Sequence, residues 1–151
     1  MNTKNQPLID RETSLETLNS LMRGELAAVE TYRHANTRLG AAAPEDLTTC
    51  LQSHDQRATL IAEHIVLAGG TPVSGSGLWG AVARLVEGSA AMIGPRALYA
   101  ALEEGEDQGL TDYRAALDGI DSAGLTLLRG DLLPEQIRTH GLMSSLCRRA
   151  G

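Results

Sequence analysis

Phenylalanine is absent from this 151-residue chain, and its aromatic residues amount to one tryptophan and three tyrosines. Its interior is therefore aliphatic, and any buried ring is a specific placement rather than filler. Cysteine is nearly as scarce. Cys50 and Cys147 stand far apart with no C-x-x-C pair, so a disulfide or a zinc knuckle is disfavoured and buried free thiols are expected. No apolar run approaches the ~20 residues that span a bilayer, and the polar start MNTKNQPLIDRE lacks the apolar stretch of a signal peptide. A basic surplus is missing too. The formal charge is −6 with acids and bases interspersed, which argues against nucleic acid or an anionic membrane surface as partner. No Gly-rich phosphate loop, Ser-His-Asp order or reactive-cysteine setting occurs, so covalent catalysis is not supported. These absences lead to a cytoplasmic protein as the expectation. A hydrophobic content of 42% suits one domain with a core of its own.

What is present is helical periodicity. Residues 1–12 are expected to form a flexible N-terminus, followed by a single domain over 13–149. Thr13-Ser-Leu-Glu16 has the pattern of a capping box and opens a helix over 13–39. Its stripe is Leu15, Leu18, Met22, Glu25, Val29, Tyr32, Asn36 and Leu39, at alternating spacings of three and four. Pro44 in a first turn, with Glu45 and Asp46, starts a second helix over 44–68, with Leu47, Leu51, His54, Ala58, Ile61, Ile65 and Ala68 on its face. Gly69-Gly70 ends it. The crossover, 69–94, begins with TPVSGSG and resumes helical spacing through Trp79, Val82, Leu85 and Val86. Trp79 either covers the bundle flank or forms a homodimer contact. A third helix, 95–118, carries Leu98, Leu102, Glu106, Gly109, Tyr113 and Ala116. A fourth, 122–149, carries Leu125, Leu128, Leu132, Ile137, His140 and Leu146, and Pro134 either kinks it or opens a separate segment. The fold class expected is all-α, a four-helix bundle in up-down-down-up order, because the long crossover can return the chain along a helix to its far end.

Two stretches repeat. GELAAVETYR (24–33) and GEDQGLTDYR (105–114) both place a glutamate and, seven residues on, a tyrosine on the inward face. A glutamate on an apolar stripe needs a counter-charge, hydrogen bonds, a proton or a cation, because an unsatisfied charge there costs several kcal/mol. Each glutamate is followed about one helix later by a histidine, Glu25 by His54 and Glu106 by His140. If the two hairpins are related by a pseudo-two-fold axis, these four side chains converge at mid-bundle, as carboxylate and imidazole ligands of a transition metal do.

The stretch LNSLMRGELAAVETYRHA (18–35) resembles the first helix of bacterioferritins and rubrerythrins in the ferritin-like superfamily. The chain also resembles a bacterial branch of such bundles without an assigned function, in which GELAAVETYR, the GG-TP turn followed by SG-x-WG, and LEEGED recur. This resemblance implies a ferritin-like bundle with Glu25 and Glu106 at the ligand positions of the first and third helices. The second and fourth helices of di-iron members carry Glu-x-x-His. The steps taken to correspond here read His54-Asp-Gln-Arg57 and His140-Gly-Leu-Met143, a departure that leaves two Glu and two His. Such a set suits one ion, zinc in tetrahedral ligation or iron or manganese with added water.

Two readings follow. In the first, Glu25, His54, Glu106 and His140 hold one transition metal (Zn, Fe or Mn), with Tyr32 and Tyr113 orienting the carboxylates. In the second, the core is metal-free: Glu25 pairs with Arg57, the tyrosines donate to the carboxylates, and the bundle serves as a structural or stress-related interaction scaffold. Glu30 competes with Glu25 for nearness to His54, and Glu103, one turn before Glu106, could share its site. Both also suit a solvated helix face. The glycines at 24, 105 and 109 each cost about 1 kcal/mol of helix propensity, which close helix approach would offset.

Overall fold

The computed structural model describes residues 8–77 and 94–151, and every regular element among them is helical. Helix α1 spans Arg11–Leu39, α2 Glu45–Leu67 and α3 Pro95–Ala116; α4, Ser122–Leu127, passes through a π-helical turn, Leu128–Leu132, into α5, Leu133–Ala150. The extra helix expected around Trp79, and with it the homodimer contact, lies outside the described residues.

Local chemistry sets the ends. Asp10, rather than Thr13, caps α1, its carboxylate accepting from the Thr13 N–H at 2.8 Å, so the helix takes in Arg11 and Glu12. At the end of α2, Gly69 adopts φ +79° and the N–H groups of Gly69 and Gly70 donate back to Val66 and Ile65. Glycine is suited to this left-handed closing turn because it has no Cβ to clash. Asp121 caps α4 through the Gly124 N–H, and its own N–H donates to Ser14 Oγ.

Contacts along the helices fix their directions. Arg11 Nε donates to the Ala68 carbonyl at one end of the first hairpin, and Thr48 donates to Asn36 near the other, so α1 and α2 are antiparallel. Tyr32 meets Glu106 while Glu25 meets Tyr113, which makes α1 and α3 antiparallel. Asp46 meets Arg149 while Ser53 meets Glu135, so α2 and α5 are antiparallel as well. Helices α2 and α3 consequently run the same way, and the chain leaving α2 starts from the end of the bundle opposite to that at which α3 begins. Its first residues lie along α1, where Asn19 bonds to Thr71 and Val73 and Ser76 donates to Glu30.

The interior has three storeys. One apolar cluster holds Leu18, Met22, Ile61, Ile65, Leu128 and Leu132, and another holds Ala35, Leu47, Leu98, Leu102, Met143 and Leu146. Between them lies a layer of buried polar groups contributed by four helices. The face of α5 departs from the expected stripe. Gln136, Thr139, Met143 and Leu146 point inward, Ile137 is 50% exposed, and His140 is half-buried on the outer side. The physical cause is the π-helical turn just before Pro134. Pro134 cannot donate to the ladder, the Leu133 N–H closes on Leu128, and the wider turn rotates the following face.

Candidate functional site

The polar layer contains Glu25 and Tyr32 from α1, His54 and Arg57 from α2, Glu106 and Tyr113 from α3, and Gln136 and Thr139 from α5, all buried. At its centre the His54 imidazole bridges the two glutamates. Nδ1 lies 2.6 Å from Glu25 Oε2 and Nε2 lies 2.9 Å from Glu106 Oε1. Facing ionised carboxylates, which only accept, both ring nitrogens act as donors, the arrangement of an imidazolium, although Arg57 Nη2 also stands 2.8 Å from Nδ1. Burial works against that charge, but the two carboxylates outweigh it together with the opposing Arg57 charge, and the His54 pKa is raised.

Arg57 completes the neutralisation. It is 1% exposed, and its Nη1 sits 3.2 Å from Glu25 Oε1 and donates to Gln136 Oε1. Nη2 reaches Thr139 Oγ1 at 3.4 Å, and the guanidinium carbon stands 5.8 Å from the Tyr113 ring centre. The tyrosines act crosswise: Tyr32 donates to Glu106 Oε1 at 2.6 Å and Tyr113 donates to Glu25 Oε1. Gln136 and Thr139 donate to Glu106 Oε2 at 2.9 and 2.8 Å. Burial would raise the pKa of both glutamates, yet Arg57 and His54 at Glu25, and His54, Tyr32 and Thr139 at Glu106, hold both below the ordinary value. The layer is thus two anions and two cations with no net charge. Among the described residues, no buried side-chain nitrogen or oxygen lacks a partner.

The structure therefore brings Glu25, His54 and Glu106 together with Tyr32, Tyr113 and Arg57, and leaves three expected participants outside. His140 Nε2 pairs with Asp107 at 2.6 Å on the outer side of α5. Glu30 accepts from Ser76, and Glu103 bonds to Ser144 and Cys147. The position expected of His140 is taken by Gln136 and Thr139, which sequence reasoning missed. A signal for them existed. His54 follows Glu25 by 29 residues and Gln136 follows Glu106 by 30, whereas His140 is 34 away. The i, i+3 pair His54 and Arg57 is thereby matched by Gln136 and Thr139, one residue later in the second hairpin, and a single π-helical turn inserts one residue.

The donor set does not fit the metal that the fold resemblance implies. The two nitrogens of His54 leave opposite edges of the ring toward different carboxylates, so the three ligand-type residues do not face a common point. A permanent guanidinium already compensates Glu25. Gln136 and Thr139 are poor substitutes for carboxylate and imidazole. Among the described residues no group of three His, Cys, Asp or Glu is arranged to hold an ion.

A cavity of about 330 Å³ between α1 and α3 reaches this layer past Gly24, Ala28, Leu102 and Gly105. A Cβ at Gly24 or Gly105 would meet nothing within 4 Å, whereas at Gly109 it would stand 2.8 Å from Gln136 Nε2. Close approach thus accounts for Gly109 alone of the three. Cys50 is a buried free thiol, pushed up to about 12 by burial and the nearby Glu106 charge, which keeps it unreactive. No described helix is long and apolar enough to cross a membrane.

Residues 13–119 match a family described as Domain of unknown function (DUF2383), a match that takes in the first hairpin, the crossover and α3. No curated protein matches the chain, and no solved structure does.

Proposed function

This chain belongs to the DUF2383 family, and we propose that it is a ferritin-like, up-down-down-up bundle serving as a metal-independent scaffold for protein interaction. The observation that carries this reading is the closed charge balance of the core, in which Arg57 and a protonated His54 neutralise Glu25 and Glu106. A bundle with such a core needs no ion to fold, and its chemistry is satisfied internally. Tyrosine hydroxyls, the imidazole and both carboxylates are hydrogen-bonded to one another, which supports a structural use of the layer. Functional contact then falls to the surface, where interspersed acids and a net charge of −6 suit a protein partner better than nucleic acid or an anionic membrane. Elemental analysis of protein purified without an affinity tag is expected to give no stoichiometric zinc, iron or manganese. The melting temperature is expected to stay unchanged when any of the three is added. Stoichiometric metal, or a rise in melting temperature on adding one, refutes the reading.

Metal binding by Glu25, His54 and Glu106 is the second reading, and one observation favours it: each glutamate is a hydrogen bond away from the same imidazole. It requires Arg57 to leave Glu25 and His54 to lose a proton.

A further inference from the structure

We propose that the cavity between α1 and α3 binds a small amphipathic amine, with its alkyl part against Gly24, Ala28, Leu102 and Gly105 and its ammonium group on Asp112. Such a site goes beyond the scaffold role proposed above and leaves the pairing of the core unchanged.

The cavity encloses about 330 Å³, at the lower end of the range for small-molecule sites. Two glycines keep it open. A Cβ at Gly24 or at Gly105 would meet nothing within 4 Å, so no neighbour requires either glycine, although each costs about 1 kcal/mol of helix stability relative to alanine. Leu21, Ala28 and Leu102 add apolar walls. An alkyl body seated there is taken out of water and supplies the lining with contacts that open space does not.

The lining also selects the sign of the head group. Among the described residues that line the cavity there is no lysine or arginine, whereas Glu104 and Asp112 both stand on its α3 side. Asp112 is half-buried, and among the described residues its carboxylate has one hydrogen-bond partner, the Gln108 amide at 2.8 Å. Burial raises its pKa, as it does for a carboxylate drawn out of water without a cation beside it. An ammonium group at Asp112 supplies that counter-charge and keeps its own outer side in water, while an anionic head would be repelled. The inner end offers no comparable place. Glu25, His54, Glu106 and Gln136 are already hydrogen-bonded to one another there, so the alkyl end points inward. Gly105 and Asp112 are seven residues apart on α3, roughly 10 Å along its axis, which is the reach of a short alkyl chain.

The test titrates hexylamine, hexanol and hexanoate, which share one alkyl chain and differ in the head group, into the untagged full chain near neutral pH. Binding is followed by calorimetry and by amide NMR shifts. Hexylamine is expected to bind about tenfold more tightly than hexanol, the worth of one charge-assisted hydrogen bond, and hexanoate more weakly than either. Asp112→Asn keeps the side chain's size and should bring hexylamine down to the level of hexanol while leaving hexanol unchanged. Gly105→Leu fills the cavity and should abolish binding of both, and Gly24→Leu, from the opposite helix, should do the same if Gly105→Leu lacks helical circular dichroism. Failure of hexylamine to bind wild type, or equal binding of the three compounds, overturns the proposal. A preference for hexylamine that survives Asp112→Asn overturns it too, as does hexylamine binding that survives a folded leucine variant, which marks loose association with the acidic surface.

Discussion

Replacing His54 by glutamine separates the structural proton from every other ionisable group. In the folded chain His54 donates to Glu25 at 2.6 Å and to Glu106 at 2.9 Å. Hydrogen bonds to charged partners are worth about 1.5–3 kcal/mol each, so the two together are worth a few kcal/mol. Burial lowers the folded-state pKa of His54, the two glutamates raise it by more, and the net shift is upward. Stability from a raised histidine is fully present below its unfolded value of about 6.5 and is lost as pH rises through the folded value. Across that window the native chain holds one proton more than the unfolded chain, and stability falls by up to about 1.4 kcal/mol per pH unit. A glutamine has no such proton. Urea unfolding followed by circular dichroism, from about pH 6 to about pH 9, should therefore show wild type exceeding His54→Gln most at the acid end, with the gap narrowing as pH rises. Surface histidines are common to both proteins and cancel in the difference. A gap independent of pH, or one that widens toward alkaline pH, would refute the assignment of an imidazolium between the two glutamates.

Arg57→Leu removes one partner of a buried ion cluster and should cost about 3–5 kcal/mol, read as a drop of roughly 6–20 °C in melting temperature at 2–4 °C per kcal/mol. Adding Glu25→Leu should recover part of that loss rather than add to it, and strict additivity would contradict the pairing. Gly24→Ala should stabilise by about 0.5–1 kcal/mol, since open space receives the methyl group, whereas Gly109→Ala should destabilise because its Cβ meets the Gln136 amide; equal effects in a thermal melt would contradict the packing described. His140→Ala removes an outer pair with Asp107 and should change stability by no more than about 1 kcal/mol. A loss as large as that of Arg57→Leu would place His140 in the core.

The inward positions of Glu25, Tyr32, His54, Glu106 and Tyr113 could be read from the chain because polar residues that break an apolar stripe at helical spacing leave few alternatives to burial. The first hairpin was legible for that reason, Arg57 included, since it lies three residues from His54 on the same side. The second hairpin was not. Gln136 and Thr139 are uncharged polar residues that look like a solvent face, while Ile137 and His140 look like core, and pattern alone puts the wrong pair inside. A one-residue rotation at the π-helical turn carries the difference, and hydrophobic periodicity assumes a constant turn. The offset did leave a trace, in the near-equal separations from each glutamate to its partner on the next helix. Gly24 and Gly105 misled in another way, because a glycine in a helix marks either a neighbour too close for a methyl group or a cavity, and composition does not distinguish them.

The crossed pairs Glu25 with Tyr113 and Tyr32 with Glu106 share one seven-residue spacing, and this makes the layer an index mark for the assembly of the bundle. Aliphatic helix faces without such a mark interlock almost as well after sliding by two turns. Here a slide of α3 along α1 by seven residues in one direction would set Glu25 against Glu106, carboxylate on carboxylate. In the other direction it would face Tyr32 with Tyr113 and strip both acids of their phenol donors. Only one alignment satisfies all four groups, so a core with little aromatic shape to key it is held in step by charge.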